Sequence, residues 1–366
     1  MKRWRFRIYS GGILIALLVV CGLYVYETYR PSNHFHPFHL PVLAVPSYSD
    51  EPAVLPPAGV AAELSDRLTE RLEPADEPGE AVAANQPEQP AAKDRQEEVT
   101  DPGKPNQAEE STGFNVLVLG LDSREKEASR SDALMVAHVD PDQKSVHVLS
   151  IPRDTRVYLP GVGLTKVNHA YFLGAVKGGS EKATGAAIQA VSNLLRIPVH
   201  YYVKTDLKGF VELIDAIGGI EVELSKEVQI NASRKVLPAG AVQMDGETAL
   251  GFARERYSLA DGDFGRQAGQ VDVLKAAVKK MLSRERIAKL PELIGKLRKE
   301  AVETNMTDGD LLSLAWLFKD TDPKNIRRSS VPGRSVTEED PLVGSKLWYW
   351  EPDRAALDSI VSSYMR

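Results

Sequence analysis

Apolar and polar positions alternate in three regimes along this 366-residue chain. Residues 8–26 (IYSGGILIALLVVCGLYVY) form one uncharged run. At about 1.5 Å per residue, a helix of that length just crosses a hydrocarbon core of roughly 30 Å. From about residue 30 to 112 the periodicity is lost, save for AELSDRLTERLE (62–73), which sets Leu64, Leu68 and Leu72 at helical spacing. From Phe114 onward, strand and helix patterns alternate.

VLVLG (116–120) reads as a buried strand. ALMVAHV (133–139) and VHVLSI (146–151), joined by DPDQK, read as a hairpin. The spacing predicts a helix over 180–196, with Ala187, Ile188, Val191, Leu194 and Leu195 on one face. A strand follows at 201–205, then a helix over 206–219, capped by Asp206 and stopped at Gly218. IEVEL (220–224) alternates as a strand. Helices are predicted over 245–256 and over 264–283, the latter burying Val271, Leu274, Val278 and Leu282. Further helices occupy about 284–319 and 353–365, with an extended piece at 325–332. This order predicts a three-layer α/β sandwich with a central mixed sheet.

Charge sharpens the picture at the N-terminus. Lys2, Arg3, Arg5 and Arg7 precede the apolar run, which orients it with the N-terminus cytoplasmic and the rest extracellular. Tyr24 and Tyr26 then fall at the outer interface. A cleaved signal peptide would end in a small-residue site, and no A-x-A closes this run. Cys21 is the only cysteine, and Val20 before it is too large for a lipidation site. No intrachain disulfide or cysteine metal site is available. The expected organisation is a basic tail (1–7), a transmembrane helix (8–26), a disordered acidic Pro-rich linker (27–112), a catalytic domain (113–283) and a C-terminal helical extension (284–366). No helix-turn-helix or basic stripe points to nucleic acid.

Charged residues gather at the ends of the apolar elements. Asp122 and Arg124 follow the first strand, and Arg130 and Asp132 precede the second. Two carboxylates on adjoining loops suit Mg²⁺, which takes one or two carboxylates beside water and phosphate oxygens. Solvated turn acids are the alternative. Arg153 and Asp154 begin the loop after the third strand; Arg254, Arg256 and Arg266 bracket a later one. Guanidinium forks around a cleft suit a diphosphate. Ion pairing to Glu255 and Asp263 is the competing role. His138 and His147 fall inside strands as core histidines, and His169 is either a site residue or a loop-ordering one. No G-x-S-x-G, H-E-x-x-H or Walker loop occurs.

LGLDSR, RSDALMVAHVD, LSIPRDTRV, KVNHAYFLG, YYVKTDLKGFVELIDAIGGIEVEL, MDGETALGFARERY and DGDFGRQ occur in this order. Together they resemble the LytR–CpsA–Psr family of cell-envelope proteins. The resemblance implies transfer of a glycopolymer, such as wall teichoic acid or capsule, from an undecaprenyl-diphosphate carrier to peptidoglycan as a phosphodiester. It also implies an apolar polyprenyl pocket and a Mg²⁺ cofactor. By motif, Asp122 and Asp132 would hold the ion. Arg153, Arg254, Arg256 and Arg266 would grip the diphosphate, with Arg124 and Arg130 beside them. Asp263 and Gln270 would line the same site. Asp154 is either a base or the orienter of Arg153. One departure stands out: Gly269 replaces the arginine of D-F-G-R-x-x-R-Q, a loss that would weaken head-group binding, alter the acceptor or be covered by a neighbour such as Lys275. A membrane-anchored regulatory module and a polyprenyl-diphosphate hydrolase remain as alternatives.

Overall fold

The computed structural model describes residues 23–36, 39–47, 113–122, 131–256, 263–283, 289–319, 321 and 325–366. Most of the apolar run 8–26 lies outside them, as does the helical spacing at 62–73. Residues 23–28 are helical. Among the described residues no helix is long and apolar enough to cross a membrane.

A short helix α1 (Pro31–His34) comes first, followed after residue 112 by β1 (Phe114–Leu121), β2 (Ser131–Asp140) and β3 (Ser145–Ile151). A small hairpin, β4 (Arg156–Leu159) and β5 (Gly163–Lys166), leads into α2 (His169–Leu195). Then come β6 (Tyr201–Asp206), α3 (Leu207–Ala216), β7 (Ile220–Leu224), β8 (Val228–Ile230), β9 (Lys235–Leu237), β10 (Gly240–Met244), α4 (Gly246–Arg254) and α5 (Asp263–Met281). The last part holds α6 (Leu290–Glu300), β11 (Glu303–Thr304), α7 (Asp308–Phe318), β12 (Ile326–Ser330), β13 (Gly333–Asp340), β14 (Ser345–Pro352) and α8 (Arg354–Tyr364).

Six strands form a mixed sheet in the order β11-β6-β1-β2-β3-β12. β1 runs parallel to β6 and antiparallel to β2; β3 runs parallel to β12. β1 is buried along nearly its whole length, as its unbroken apolar run requires for a strand covered on both faces. One face packs on α2 and α8 through Val191, Leu195, Leu357 and Val361. The other packs on α5 and α7 through Val271, Leu274 and Leu311. A third cluster joins β7 and β10 to α3, α4 and α5. The α/β layering read from the sequence is therefore present.

Several boundaries differ from the sequence reading. The helix at 180–196 is the second arm of α2, which bends at Gly178 and Gly179; Gly179 takes φ +75°. The stripe of α5 is richer in small residues than predicted, with Val273, Ala276 and Ala277 against one cluster and Val271 and Leu274 against another. The helix lies between two cores, so two faces are apolar and a single stripe misdescribes it. The C-terminal part is no helical extension. It supplies two strands of the main sheet and a β13–β14 hairpin, because Trp348, Tyr349 and Trp350 lie in a strand register that one strand alone could not reveal. Residues 31–36 and 39–47, expected as linker, are docked: Phe35 is 2% exposed and belongs to the core.

Candidate functional site

The C-terminal ends of parallel strands in an open α/β sheet are where loops converge into a crevice. Asp122 follows β1 there, and Arg153 and Asp154 follow β3. Between Gly120 and Leu121 the β1–β2 register slips, pairing Gly120 with Ala133 and Leu121 with Ser131. Asp132 is thus the extra residue of a β-bulge, a device that re-aims a side chain next to a site. Gly120 permits it: a Cβ there would stand 3.0 Å from Ala133 Cβ.

Pro152 ends the β3 ladder, and Thr155 N–H and Oγ1 both donate to its carbonyl, at 2.9 and 2.6 Å. This tight turn presents Arg153. Its Nη1 donates to Asp132 Oδ1 at 2.7 Å, while its Nε lies 3.5 Å from Asp154 Oδ2. Burial pulls the guanidinium pKa down, but Asp154 and Asp132 outweigh it and, with Asp263 adding, hold Arg153 above its ordinary value. Asp154 is committed elsewhere: its Oδ1 takes Lys166 Nζ at 2.7 Å. Burial pushes the Asp154 carboxyl up, and Lys166 and then Arg153 outweigh that and hold it below the usual carboxylate range. A carboxylate so paired is a poor base. Of the two roles open to Asp154, the geometry fits positioning of Arg153.

From the other side come the end of α4 and the first turn of α5. Arg266 Nη2 reaches Asp263 Oδ1 at 2.7 Å, and Arg256 Nη2 stands 3.7 Å from the same oxygen. Gln267 Nε2 donates to Asp263 Oδ2 at 2.8 Å, and Gln267 Oε1 accepts from Ser330 Oγ at 2.9 Å. Arg266 is deeply buried, and burial drags its pKa to about 10 against the pull of Asp263, with Arg256 and Arg153 adding to the fall. That mutual influence, with the ion pairs above, gathers Arg153, Arg256, Arg266, Asp132 and Asp263 into one cluster. Four buried side-chain atoms here have no hydrogen-bond partner among the described residues: Asp122 Oδ1, Arg153 Nε, Asn168 Oδ1 and Arg266 Nε. Native proteins satisfy nearly all buried polar atoms, so such a gathering points to a polar ligand.

Other sequence candidates fall outside this cluster. Arg254 is exposed at the end of α4 and makes no ion pair among the described residues. Gln270 donates to the Ala253 carbonyl at 3.3 Å, tying α5 to α4. Glu255 accepts from Asn231 N–H and Nδ2 at 2.8 and 3.0 Å and from Arg256 N–H at 3.0 Å. Lys275 is influenced by Asp272 and Arg328, a separate group, and so does not cover position 269. Gly269 itself is buried, and a Cβ there would meet the Phe252 ring at 3.3 Å. The glycine lets α5 approach α4 closely. Arg124 and Arg130 lie outside the described residues.

The support beneath the site was not legible in sequence. Trp350 N–H donates to the Asp154 carbonyl at 3.0 Å, and Trp350 packs edge-on against Phe264 at 4.9 Å. Arg156 Nη1 donates to Glu351 Oε2 at 3.1 Å. Thr165, beside Lys166, donates to Asp340 Oδ2 at 2.6 Å, as does Tyr349 OH at 2.7 Å. The Thr165 proton goes to Asp340, so His169 Nδ1 donates to Thr165 Oγ1, at 2.7 Å. His169 therefore orders the loop. Lys166 and Gln267 stand inside the motifs KVNHAY and DFGRQ, whose lettering alone assigns them no partner.

The sequence matches the model of the LytR_cpsA_psr family over residues 80–364. It is 31% identical over 249 residues to the polyisoprenyl-teichoic acid–peptidoglycan teichoic acid transferase TagU of Bacillus anthracis (strain CDC 684 / NRRL 3495), covering 68% of this chain and 77% of that one. It is 33% identical over 257 residues to the transferase TagV of Bacillus subtilis (strain 168), covering 68% of this chain and 62% of that one. The crystal structure of B. subtilis TagV superposes with a TM-score of 0.59 at 33% identity, over 69% of this chain and 95% of that one. TagT bound to LIIa-WTA superposes with a TM-score of 0.56 at 25% identity, over 69% and 89%. The match spans more than half of the sequence and takes in both sides of the charged crevice, and the chain belongs to the LytR_cpsA_psr family.

Proposed function

We propose that this chain transfers a glycopolymer, such as a teichoic acid, from an undecaprenyl-diphosphate carrier to peptidoglycan, forming a phosphodiester. The observation that carries it is the crevice of Arg153, Arg256 and Arg266 interleaved with Asp132 and Asp263. Phosphoryl transfer needs in-line placement and charge neutralisation more than a protein nucleophile. Arg153, Arg256 and Arg266 grip the diphosphate oxygens and stabilise charge that builds on transfer. Lys166 and Asp154 hold the Arg153 loop in register for that contact. The lipid tail lies along apolar side chains flanking the sheet, and the apolar run 8–26 keeps the chain at the membrane with its catalytic part outside.

The residues fit a Mg²⁺ ion. Among the described residues no group of three or more metal-ligating side chains occurs. Mg²⁺ binding beside phosphate needs only one or two carboxylates. Asp122, whose buried Oδ1 has no hydrogen-bond partner among the described residues, and Asp132 would hold it. Bound there, the ion would supply neutralisation of the diphosphate and of the leaving group.

The test uses the full-length protein in detergent with a labelled lipid-linked donor, Mg²⁺ and peptidoglycan oligomers. Label on the glycan supports transfer. Free phosphate without labelled glycan sinks it in favour of hydrolysis, and donor binding without product favours a binding module. Arg153→Ala should abolish transfer with the fold intact; full activity would refute the site.

A further inference from the structure

The docked stretch, residues 31–36 and 39–47, changes the topology of the chain. Phe35 stacks on Phe114, the first residue of β1, with centroids 4.6 Å apart and rings 16° from parallel, and meets Tyr201 edge-on at 6.3 Å. His34 Nδ1 lies 3.2 Å from Asp310 Oδ1 on α7. A Cβ on Gly309 would stand 2.8 Å from the His34 ring, so α1 and α7 approach as closely as a glycine allows. Further on, Leu43 N–H donates to Val199 O at 2.9 Å and Val199 N–H to Ala44 O at 3.1 Å. Gln189 Nε2 donates to Val45 O at 2.8 Å, and Ser47 N–H to Asn193 Oδ1 at 2.9 Å. The segment thus joins two separate core clusters, through Phe35 and Ala44.

Both ends of residues 48–112 meet the fold at one place. Ala44 pairs with Val199, and the next residue, His200, donates its N–H to Asn115 O at 3.0 Å. The described residues end at Ser47 and resume at Gly113, next to the start of β1 and the residues that lead into β6. The residues between carry sixteen Asp and Glu against five Lys and Arg. The contacts that residues 43–47 make with Val199, Gln189 and Asn193 involve none of them. Before the dock, Leu23, Tyr24, Val25 and Tyr26 are all exposed, as the outer end of a membrane helix would be.

We infer that residues 31–36 and 39–47 are a non-covalent clasp that holds the folded domain to its own membrane-proximal segment, independently of residues 48–112. The inference rests on the reading of residues 8–26 as a membrane span. Nine residues separate Tyr26 from Phe35, a reach of about 30 Å at most. A free tether over 27–112 would spread to an r.m.s. distance of roughly 50 Å and extend much further. The clasp therefore confines the site to a shell near the membrane, where a polyprenyl-linked donor resides.

The experiment places one site-specific protease sequence within residues 81–90 of the full-length protein in proteoliposomes, cleaves it, and sediments the vesicles. With the clasp, the cleaved domain stays in the pellet. Release of the wild-type domain on cleavage overturns the inference. Phe35→Asp should release the cleaved domain at least several-fold more than wild type, while the uncut variant still sediments; retention of the cut variant also overturns it. Leu43→Pro removes the bond to Val199 without touching a buried side chain, and should raise release if Phe35→Asp proves too destabilised to fold. Should the span reading fail, the uncut wild-type protein would not sediment. The clasp is then decided in detergent, where the two cleavage fragments must co-elute on size exclusion, and separate elution overturns it.

Discussion

Arg266→Met isolates the cost of holding a cation ready in the crevice. The Arg266 side chain is 6% exposed, and its Nε has no hydrogen-bond partner among the described residues. Its pKa drops below the ordinary guanidinium value to about 10, with burial the main cause, Asp263 opposing it, and Arg256 and Arg153 adding. A base whose folded pKa lies below its unfolded value destabilises the fold wherever it is protonated in both states. Here that is every pH below about 10, and the penalty is relieved only as pH rises above about 10 toward the ordinary guanidinium value. The drop corresponds to roughly 3 kcal/mol. Methionine keeps the helix propensity and adapts to the slot. Asp263, a third exposed, loses one partner but keeps Gln267 at 2.8 Å, at a cost of about 1 kcal/mol. The variant should therefore be more stable by about 1–2 kcal/mol, raising Tm by about 2–8 °C. Thermal unfolding of the full-length protein near neutral pH, with and without inorganic diphosphate and Mg²⁺, reads this out. Wild-type Tm should climb with diphosphate and the variant's should not. A variant Tm more than about 2 °C below wild type without anion would refute the reasoning, because Arg266 would then be a net support of the fold.

Tyr349→Phe removes a hydrogen bond to a buried carboxylate and should cost about 1.5–3 kcal/mol in urea unfolding; a cost under about 0.5 kcal/mol would show that Asp340 does not depend on it. Gly269→Arg should destabilise by about 1–3 kcal/mol because Phe252 must give way, while Gly269→Ala should be near neutral, its helix gain of about 1 kcal/mol offsetting a 3.3 Å contact. His147 and His200 are held to about 4, by burial first and His138 second, against 6.5 unfolded. The unfolded chain takes up those protons first, so stability is full above pH 6.5 and falls as pH drops toward 4. His147→Gln should flatten that fall, and an unchanged acid limb in urea titrations would count against it. Asp132→Asn removes the Arg153 partner at 2.7 Å and a Mg²⁺ ligand together. Transfer should fall at least about tenfold, with the Mg²⁺ requirement shifted to higher concentration; an unchanged Mg²⁺ dependence would remove Asp132 from the ion's ligands.

The sequence by itself determined the local elements and the chemistry they carry. β1, β3 and β7 are read from apolar periodicity, which is a short-range property. Asp122, Arg153 and Arg266 are legible as candidates because charge set at the edge of an apolar element needs a reason. Only tertiary structure decided which charges meet. Arg153 and Asp132 are 21 residues apart, and a β-bulge sets their contact. Arg254 and Arg256 look alike in sequence, yet helix α4 ends between them and leaves one exposed and the other against Asp263. Gly269 reads as a lost arginine until the Phe252 ring is seen above it. Phe35 and Trp350 reach the fold from stretches with no periodicity of their own, because a single side chain can dock into a surface built by distant residues. Burial and pairing are sums over neighbours in space, so no window along the chain contains them.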